Sequence, residues 1–565
     1  MKKDILKFIP LGGQAEMGKS MYCLEINNKI FIIDSGFRFP DSDKLGVDII
    51  IPSFTYLIEN KDRISAIIIT HGHDDAMAAL PYLLNDLSIH VPIYASNLTA
   101  DLIEQMVHRY EKNYRVQLNL DIIRIKRNDS IDIDGVPVEF FPVTHSIPGS
   151  VGVALWTSYG YVVYGGEFIV DFGAAKPFAT DIQKMMEIGK KGVFLLLVES
   201  SSCRHEGYTS PRHKLTKKID RIFEDSNERI IISTYAQNLF RTQEIIELTK
   251  KYKRQIIFYG KDKYDNTNSI LRFSHKYDNV IHIPDNILGN KDMLGNPQYD
   301  SNYVVLLSGS PRRIYHDICD IIDGGDSLLK LRKGDTFIVA SPVLPGTEKI
   351  ANKAHNGLYR TDAQIHLLKN RDLFSMHASE EDIKVIIQIF KPKYYIPIKG
   401  EYQHFISNMN LAIAMGVKEE NVIIADNGEG IVFEDGEVLE SREQYNVEDV
   451  MIDGIGIGDV GDKVIDDRIQ LANDGVVIVG ITISKDTKEI VTTTDTQTRG
   501  FVYLKDSEHI VKQVTEICEN CVAKLKEDPY LEVSDVRNMM KDQSIRYIVK
   551  ETGKKPVFIG VIVEI

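Results

Sequence analysis

The 565-residue sequence lacks any run of about eighteen apolar residues. Its start, MKKDILKFIPLGG, also lacks the long apolar segment and small-residue cleavage site of a secretion signal. We therefore expect a cytoplasmic protein with no membrane partner. Cysteine is scarce, with five residues at positions 23, 203, 319, 518 and 521. They are too few and too scattered for a disulfide framework, which agrees with a reducing compartment.

Basic residues are outnumbered by acidic ones, with 67 Lys and Arg against 81 Asp and Glu. The formal net charge is -14 at pH 7, so the bulk surface repels nucleic acid. Any RNA or DNA binding therefore requires a local basic groove. With 43% hydrophobic and 26% charged residues the composition is otherwise typical of a globular protein. The length allows about three or four domains.

Periodicity divides the chain into segments. Residues 1–210 alternate β-rich runs, such as ISAIIIT and VFLLLVES, with helical patterns, which predicts a layered α/β block. From 211 to 360 helix and strand alternate regularly, as in a doubly wound parallel sheet. Residues 361–435 predict helix, strand and loop. Residues 436–450 are polar and acidic and predict a linker, and residues 451–565 predict a separate small α/β domain.

One cysteine pair and one glycine pattern invite functional interpretations. Cys518 and Cys521 form a CxxC motif inside HIVKQVTEICENCVAKLKE, where positions three apart share one helix face. Because no second pair exists, helix packing is favoured over zinc or redox chemistry. The stretch Gly456 to Gly461 fits GxGxxG, but DKVIDDRIQ is a poor helix start for a dinucleotide fold and no long strand precedes it. We assign these glycines to tight turns.

A phosphate-loop pattern occurs near the N-terminus. The stretch GQAEMGKS satisfies GxxxxGK[ST], which would place Lys19 on phosphates and Ser20 on magnesium. A phosphate loop must lead into a helix, yet the next residues, MYCLEINNKIFIIDSG, predict a hairpin. Glu16 would also put a negative charge inside the cradle. The pattern therefore does not indicate a nucleotide triphosphatase.

Two histidines follow a buried strand. His71 and His73 come directly after ISAIIIT, on either side of a glycine. Asp74 and Asp75 then open the helical pattern AMAALPYLL, as N-cap and first-turn carboxylates. Nitrogen ligands held at a strand end, with oxygen ligands at an adjacent helix start, are what a transition metal requires.

Two further candidates follow later strands: His145 in FFPVTHSIPGS and Glu167 in YVVYGGEF. Each alone is more often a capping or hydrogen-bonded residue than a ligand. Together, four strand-end positions within the first 170 residues or so favour a metal site.

At this point the chain resembles a known family. His-x-His-x-Asp, then TH and GGEF, is similar to the metallo-β-lactamase superfamily, and the doubly wound block is similar to the β-CASP nucleases. The resemblance is closest to the bacterial ribonuclease J family and runs nearly end to end, through FIPLGGQAEMGKSMYCLE, FRFPDSDKLGVDIIIPSFTYL, ASPVLPGTE, PKYYIPIKGEY, DGIGIGDVGD and TRGFVYL.

The resemblance implies a fold and an activity. The fold would be a metallo-β-lactamase αββα sandwich (1–210 and 361–435) with an inserted doubly wound β-CASP domain (211–360) and a small C-terminal α/β oligomerisation domain (451–565). The activity would be two-metal cleavage of RNA, processively from a 5′-monophosphate end and sometimes internally. The ligand set would be His71, His73, Asp75, His145 and Glu167, with zinc or manganese as the metal, and catalysis would rest on Asp75 and His377.

The chain departs from the family pattern at several ligand positions. The last histidine of HxHxDH is Ala76, and the histidine of the late PxHGEY motif is Lys399. The bridging aspartate is Glu167. The first metal would therefore keep its histidines, whereas the second would lose both imidazoles. Since loss of even a supporting partner costs about 10- to 100-fold in affinity, we expect one divalent ion or none and an empty second site.

Lys399 suggests a replacement for that second ion. An ammonium beside Asp75 and Glu167 could supply part of the missing positive charge and turn a metal site into an ion-paired core.

The segment that resembles the family's RNA-phosphate site, HxSGHG, is also altered. It comprises Leu373, Phe374, Ser375, Met376 and His377, with Ser379 close behind. In place of TGSQGE the chain has SGSPRR, whose Arg312 and Arg313 could contact phosphate or lie in a solvated turn.

Two functions remain open. The family often occurs as two paralogues that assemble through the C-terminal domain, and this chain resembles the one with the degraded centre. It would then be a weakly catalytic or non-catalytic subunit that supports the active paralogue in RNA decay and rRNA or mRNA maturation, as a homo- or hetero-oligomer. The alternative is a slow metal-dependent 5′-to-3′ exoribonuclease that uses one metal and His377.

Overall fold

The computed structural model describes residues 4–41, 43–260, 276, 281–294, 302–344, 346–369, 373, 375–458, 461–501, 507–528 and 530–565. These divide into two compact units. The first comprises residues 1–39 and 49–450, and the second comprises residues 40–48 and 451–565. No helix in the described ranges is long and apolar enough to cross a bilayer.

The N-terminal part of the first unit alternates strands with short helices. In chain order these are β1 (Leu6–Gly12), β2 (Met21–Ile26), β3 (Lys29–Ile33), β4 (Ile49–Ile51), α1 (Thr55–Glu59), β5 (Ile64–Ile69), α2 (Asp74–Met77), α3 (Leu80–Leu87), β6 (Pro92–Ser96), α4 (Asn97–Tyr114), β7 (Asp121–Ile125), β8 (Ser130–Ile133), β9 (Val136–Pro142), β10 (Val151–Thr157), β11 (Gly160–Tyr164), α5 (Ile182–Lys191) and β12 (Val193–Glu199).

The chain then forms a separate five-stranded sheet, after which its next four strands join the sheets formed by the N-terminal part. The elements are α6 (Thr216–Asp225), β13 (Ile230–Tyr235), α7 (Leu239–Lys251), β14 (Gln255–Tyr259), β15 (Tyr303–Gly309), α8 (Pro311–Ile322), β16 (Thr336–Val339), α9 (Glu348–Leu358), β17 (Gln364–Leu367), α10 (Glu380–Phe390), β18 (Tyr394–Ile398), α11 (Tyr402–Ala414), β19 (Glu429–Glu434), β20 (Glu437–Val438) and β21 (Glu443–Gln444).

Two stacked sheets build the body of the first unit. One has the order β20-β19-β1-β2-β3-β5-β6-β7 with β21 beside β19, and the other has the order β18-β12-β11-β10-β9-β8. Side chains from both sheets form one buried core between them, including Phe31, Ile68, Phe140 and Leu197. Helices cover the outer faces: α3 and α4 lie with the first sheet, and α5, α10 and α11 with the second. This αββα sandwich confirms the predicted fold class.

Strands β13 to β17 form the predicted doubly wound domain. Their order is β14-β15-β13-β16-β17, and every pairing is parallel. The strands read as apolar runs, such as IIISTY and YVVLLSG, because helices bury both faces of the sheet.

The second unit is a small α/β domain. Its elements are β22 (Val450–Asp453, which begins in the first unit), β23 (Gly456–Ile457), α12 (Asp462–Asp474), β24 (Val476–Ile483), β25 (Asp495–Arg499), α13 (Ser507–Glu527), α14 (Val533–Thr552) and β26 (Val557–Glu564). The sheet order is β25-β24-β26. Cys518 and Cys521 are buried in its core, and the Cys518 Sγ lies 3.5 Å from the Ser544 Oγ. The CxxC motif therefore serves packing, as predicted.

Some local predictions differ from the structure. AMAALPYLL forms α2 and α3 rather than one helix, and His73, not Asp74, is the N-cap of α2. DKVIDDRIQ does form a helix, α12, although the preceding β23 is only two residues long and antiparallel to β22, unlike a dinucleotide fold. The predicted linker, 436–450, contains β20 and β21, which pair with β19.

Candidate metal centre

The candidate site lies where several strands end. Strand β5 leads to His71 and His73, β11 to Glu167, β12 to Glu199 and β18 to Lys399. Strands β11, β12 and β18 are mutually parallel, so their carboxyl ends share one sheet edge. Between the two histidines stands Gly72, where an added Cβ would lie 2.5 Å from the Leu102 Cδ1. The glycine therefore lets the histidine turn pack against α4.

Hydrogen bonds fix the orientation of His71. Its Nδ1 lies 3.0 Å from the Thr70 Oγ1, and that hydroxyl donates to the Asp34 Oδ1 at 2.9 Å. The hydroxyl oxygen consequently accepts the Nδ1 proton, which leaves the lone pair on Nε2. This Nε2 is buried, has no hydrogen-bond partner and lies 3.6 Å from the Glu167 Oε1. A buried ring nitrogen that has a free lone pair and receives no hydrogen bond is suited to bind a metal ion.

His73 and His145 point their lone pairs at one another. The His145 Nδ1 donates to the Met376 carbonyl at 2.8 Å, so its Nε2 is unprotonated. The His73 Nε2 lies 3.2 Å from the Ser146 Oγ and 3.4 Å from the Gln237 carbonyl, so it carries the proton and its Nδ1 does not. The His73 Nδ1 and His145 Nε2 are nevertheless only 3.1 Å apart. A cation between them removes the repulsion.

All three imidazoles are held neutral. Burial lowers the pKa of His71 and His145 well below the usual range, and neighbouring cationic groups lower them further. Burial likewise lowers the pKa of His73, to about 4. Neutral imidazole is the form that binds metal, so no proton has to leave at neutral pH.

The spacing of these nitrogens and Glu167 fits one ion. Tetrahedral zinc at about 2.0–2.2 Å from each ligand implies ligand atoms roughly 3.3–3.6 Å apart. The His145 Nε2 lies 3.4 Å from the Glu167 Oε2, and ligand atoms of the four residues all lie within 4.8 Å of one another. The structure therefore brings together His71, His73, His145 and Glu167 in a set that suits a single divalent ion.

The other half of the predicted centre contains an ammonium. The Lys399 Nζ lies 2.6 Å from the Asp75 Oδ2 and contacts the Glu167 Oε1. Burial raises the pKa of Asp75, but the neighbouring positive charge, above all the Lys399 ammonium, lowers it by more, so the carboxyl stays ionised. Ala76 is fully buried and offers no ligand atom. Lys399 therefore contacts both carboxyl groups that the family resemblance assigns to the second ion.

The backbone holds Lys399 in an unusual conformation. Its φ is 51°, in the left-handed region that side chains other than glycine rarely adopt. The Lys399 N–H donates to the Gly13 carbonyl at 2.9 Å, and the Lys399 carbonyl accepts from the Ser200 N–H at 3.0 Å. Neighbours on both sides thus fix the lysine so that its side chain enters the site.

The glycine-rich stretch GQAEMGKS packs against this site and does not have the structure of a phosphate loop. Strand β2 follows it, not a helix, which confirms the prediction against a phosphate loop. The Lys19 Nζ pairs with Glu16 at 3.2 Å and with Asp449. The Ser20 N–H donates to the Asp75 carbonyl at 3.1 Å. The stretch therefore contacts the site from the N-terminal side.

His377 forms a charged pair that sequence reasoning did not foresee. Its Nδ1 lies 2.6 Å from the Glu199 Oε2 and 3.5 Å from the Glu167 Oε2. Burial lowers the pKa of His377, but the Glu199 carboxylate raises it by more, so the net pKa is raised. Glu199 ends the buried strand VFLLLVE, and the strand-end rule that selected Glu167 would have found it. A protonated imidazole here can donate a proton.

The segment predicted to contact RNA phosphate is mostly buried. Leu373, Met376 and Ser379 have buried side chains, and Ser379 caps α10. Ser375 is exposed, with its Oγ 3.4 Å from the Ser202 Oγ, while Phe374 lies outside the described residues. Among the described side chains of this set, that of Ser375 is exposed and that of His377 is partly exposed, whereas the others are buried.

The arginine pair follows β15. Arg313 forms an ion pair with Asp317 one helical turn along α8, at 2.9 Å, and the side chain of Arg312 lies outside the described part of the chain. Because Asp317 is buried, the Arg313 guanidinium is held by a carboxyl group of its own helix, which favours a structural role over phosphate contact.

Four family models match the chain. Residues 46–200 match the beta-lactamase superfamily domain, and residues 227–358 match the ribonuclease J beta-CASP domain. Residues 364–423 match the Zn-dependent metallo-hydrolase RNA specificity domain, and residues 463–565 match the ribonuclease J C-terminal domain.

Relatives match over the whole length. The chain is 33% identical over 568 residues to ribonuclease J2 of Bacillus subtilis, covering 100% of both chains. It is also 33% identical over 570 residues to ribonuclease J 2 of Staphylococcus saprophyticus, covering 100% of this chain and 99% of the relative. A solved protein of unknown function from Enterococcus faecalis shares the fold, with a TM-score of 0.51 and 16% identity over 76% of this chain and 100% of its own. The chain therefore belongs to the ribonuclease J family, within the metallo-β-lactamase proteins that carry a β-CASP insertion.

Proposed function

We propose that this chain is a ribonuclease J family subunit of RNA decay and rRNA or mRNA maturation. It acts mainly as a non-catalytic or weakly catalytic partner that binds and supports an active paralogue. The observation that carries this proposal is the Lys399 ammonium, which contacts Asp75 and Glu167 where a second ion would be held.

An ammonium is an incomplete substitute for a metal ion. It supplies positive charge, but it has no open coordination position to activate water or to hold a phosphate oxygen. Two-metal hydrolysis of a phosphodiester uses one ion on the attacking oxygen and one on the leaving oxygen. With Ala76 offering no ligand, only half of that arrangement is available.

The remaining ligands support a cofactor proposal. His71, His73, His145 and Glu167 would hold one zinc or manganese ion, which when bound would polarise a phosphate oxygen as a Lewis acid. We propose one ion or none, with the second position occupied by Lys399.

RNA and a paralogue are the proposed partners. A single-stranded 5′-monophosphate end would lie near Ser375 and His377, and the second unit would mediate homo- or hetero-oligomerisation. Since phosphate contacts release counterions, RNA affinity has to fall as salt rises.

A slow 5′-to-3′ exoribonuclease is the second candidate. The intact first ligand set and the His377–Glu199 pair favour it. The raised pKa of His377 suits a general acid that protonates a leaving oxygen near neutral pH.

Metal analysis with an RNA degradation assay separates the two functions. The purified chain is assayed on 5′-monophosphorylated RNA across manganese concentrations, alone and mixed with an active ribonuclease J. His73→Ala is the matched control, since it removes a ligand of the first site and leaves Lys399 in place.

The supporting-subunit proposal expects at most one ion per chain, turnover at least about 100-fold below the active enzyme, and a faster or more stable mixture. This factor corresponds to about 2.7 kcal/mol of transition-state stabilisation. Activity of the chain alone that is abolished in His73→Ala favours the exoribonuclease. Two bound ions per chain, or no effect on the partner, would contradict the subunit proposal.

A further inference from the structure

An exposed phenylalanine follows the candidate metal centre in the chain. The loop after β11 carries Glu167, continues through the buried residues Phe168 to Asp171, and then turns at the surface. Phe172 lies on that turn and is 83% exposed, compared with 49% for the exposed Phe39. Because a single exposed apolar residue needs no explanation by itself, the surroundings of Phe172 decide what it can bind.

Hydrogen bonds hold the loop on both sides of Phe172. The Gly173 N–H donates to the Asp171 Oδ1 at 3.0 Å, which closes the turn under the ring. Farther along the loop, the Arg127 guanidinium donates to the Lys176 carbonyl at 2.9 Å. The backbone that presents the ring is thus fixed, and an aromatic side chain has only two torsions to lose on binding.

A lysine lies beside both neighbours of Phe172 in the chain. The Lys214 Nζ is 2.9 Å from the Asp171 Oδ2, and a Cβ added to Gly173 would lie 3.4 Å from the same Nζ. The Lys214 side chain is partly exposed. An ammonium has three donors, so Lys214 can contact a phosphate oxygen while it keeps its bond to Asp171.

Lys214 belongs to a basic segment of a chain whose net charge is -14. Residues 204–221, RHEGYTSPRHKLTKKIDR, contain six lysines and arginines but only two acidic residues. Such a local concentration of positive charge is what nucleic-acid binding requires in an acidic protein. Tyr208, which is 44% exposed, adds a second aromatic ring to the segment. Exposed aromatic rings among cations are the pattern by which proteins bind single-stranded nucleic acid.

One buried carboxylate joins this surface to the candidate centre. The Asp382 side chain accepts three backbone hydrogen bonds of 3.0 Å each, from Val170, Thr209 and Ser379. The Thr209 Oγ1 also donates to the His377 carbonyl at 2.8 Å. The exposed phenylalanine stands two residues beyond Val170, so these two Cα atoms lie at most about 7 Å apart. The ring, the basic segment and His377 therefore lie within the reach of a few nucleotides.

We propose that Phe172 is a stacking subsite for an unpaired base of single-stranded RNA, with Lys214 beside it to contact the adjoining phosphate. The inference rests on the RNA binding of the proposed function and adds a contact outside residues 373–379. A base is favoured over an apolar side chain of a partner protein because cations surround the ring. Cations attract the phosphates that accompany bases, whereas lysine is depleted from protein–protein interfaces.

Fluorescence anisotropy of the full chain with a 5′-monophosphorylated single-stranded RNA of about twelve nucleotides tests the subsite. A chelating buffer prevents turnover during the titration. Phe172→Ala should weaken binding about 5- to 100-fold, which is the cost of one lost base stack. Phe172→Trp should bind within about threefold of the wild type, whereas Phe172→Leu, which is apolar but has no ring, should bind as weakly as Phe172→Ala.

Tyr359→Ala is the matched control. Tyr359 is an aromatic residue directly after α9 in the same unit and is 61% exposed. We expect this variant to bind RNA as the wild type does. Phe172 is exposed as well, so an unchanged Tm in each variant will show that the losses do not come from unfolding.

A change in the RNA separates stacking from other effects of the substitution. An RNA with one abasic nucleotide, placed in turn along the strand, should bind the wild type more weakly when the missing base is the stacked one. At that position Phe172→Ala should cause no further loss, because the contact is already absent. Both proteins should show the same salt dependence, since a base stack releases no counterion. If the two losses add at every position, the stacking inference is overturned.

Tryptophan fluorescence reports the stack directly. The chain contains one tryptophan, Trp156, so the wild type gives the background signal. Phe172→Trp adds a second indole, whose emission a stacked base should quench as RNA saturates the protein. Emission from that indole that stays unchanged at saturation would contradict the inference.

The outcomes distinguish this inference from the proposed function. A wild-type chain that binds no RNA at about 100 μM, the weak end of non-specific nucleic-acid binding, overturns the inference whether or not the chain supports an active paralogue. Wild-type RNA affinity in Phe172→Ala or Phe172→Leu overturns it too, and a loss of paralogue binding alone would assign the ring to a protein contact. The expected loss, abasic coupling and quenching support the inference even if the activity of the paralogue is unchanged.

Discussion

Removal of the Lys399 charge tests whether an internal cation stands in for a metal ion. Lys399→Met keeps the length of the side chain and most of its volume but deletes the ammonium. Glu167, which is buried, and Asp75 would then face one another without the cation that both contact. The substitution therefore isolates the electrostatic contribution from packing.

The expected cost follows from the burial of the pair. Removing one partner of a buried ion pair typically costs about 3–5 kcal/mol, because the other charge is left uncompensated. Unfolding entropy of about 2.1 cal/mol/K per residue, over roughly 440 residues of the first unit, gives about 0.9 kcal/mol/K. The Tm of that unit should consequently fall by about 3–5 °C.

Thermal unfolding by calorimetry in a chelating buffer measures this shift without interference from bound metal. The control is Lys418→Met, because Lys418 is an exposed lysine of the same unit and lies 3.8 Å from Glu420. A surface pair of this kind contributes at most about 1 kcal/mol, so its Tm should change by about 1 °C or less.

Adding zinc or manganese then tests whether metal stabilises the variant more than the wild type. With the ammonium gone, a divalent ion can neutralise Asp75 and Glu167, so the metal should raise the Tm of Lys399→Met by more than it raises that of the wild type. If Lys399→Met unfolds at the same temperature as Lys418→Met, and metal stabilises both equally, the lysine does not replace a cation.

Three further predictions concern the same centre. Ala76→His combined with Lys399→His should add one zinc ion per chain to the content of the wild type in metal analysis, and an unchanged ratio would refute the proposed location of the second site. Thr70→Val removes the hydroxyl that accepts from the His71 Nδ1 and should weaken metal binding about 10- to 100-fold in a chelator competition, with an unchanged circular dichroism spectrum; unchanged affinity would show that this hydrogen bond does not orient the ligand. Burial raises the pKa of Asp34 to about 7, so its contribution to stability is present below about pH 4 and is lost as the pH rises through 7. The free energy of unfolding of the wild type should therefore fall by about 4 kcal/mol over that window relative to Asp34→Asn, measured in urea, and parallel pH profiles would contradict the shift.

The strand-end rule predicted most of the residues of the site from the sequence. His71, His145 and Glu167 are predicted because each follows a strand, and the structure brings them together. The same rule applied to VFLLLVES would also have selected Glu199. Side chains at strand ends are predictable because parallel strands bring their carboxyl ends to one edge of a sheet.

The contacts that orient those ligands could not be predicted. The Met376 carbonyl accepts from the His145 Nδ1 across 231 residues of sequence, and any residue type could supply that carbonyl. The hydrogen bonds that link Asp34, Thr70 and His71 likewise depend on which loops meet at the end of the sheet. Turn details such as the break between α2 and α3 also depend on tertiary packing, which overrides local helix propensity.

The ion pairs of the centre indicate why a lysine would suit the proposed role of a subunit that supports another. The carboxyl groups of Asp75 and Glu167 both contact Lys399, and the carboxyl group of Glu199 contacts His377. Without the lysine, the same carboxylates would depend on bound ions for compensation, and the fold would weaken whenever metal is scarce. Under the proposed function, Lys399 would thus make the stability of the first unit largely independent of metal supply, as a partner subunit needs, at the expense of the second ion that two-metal hydrolysis needs.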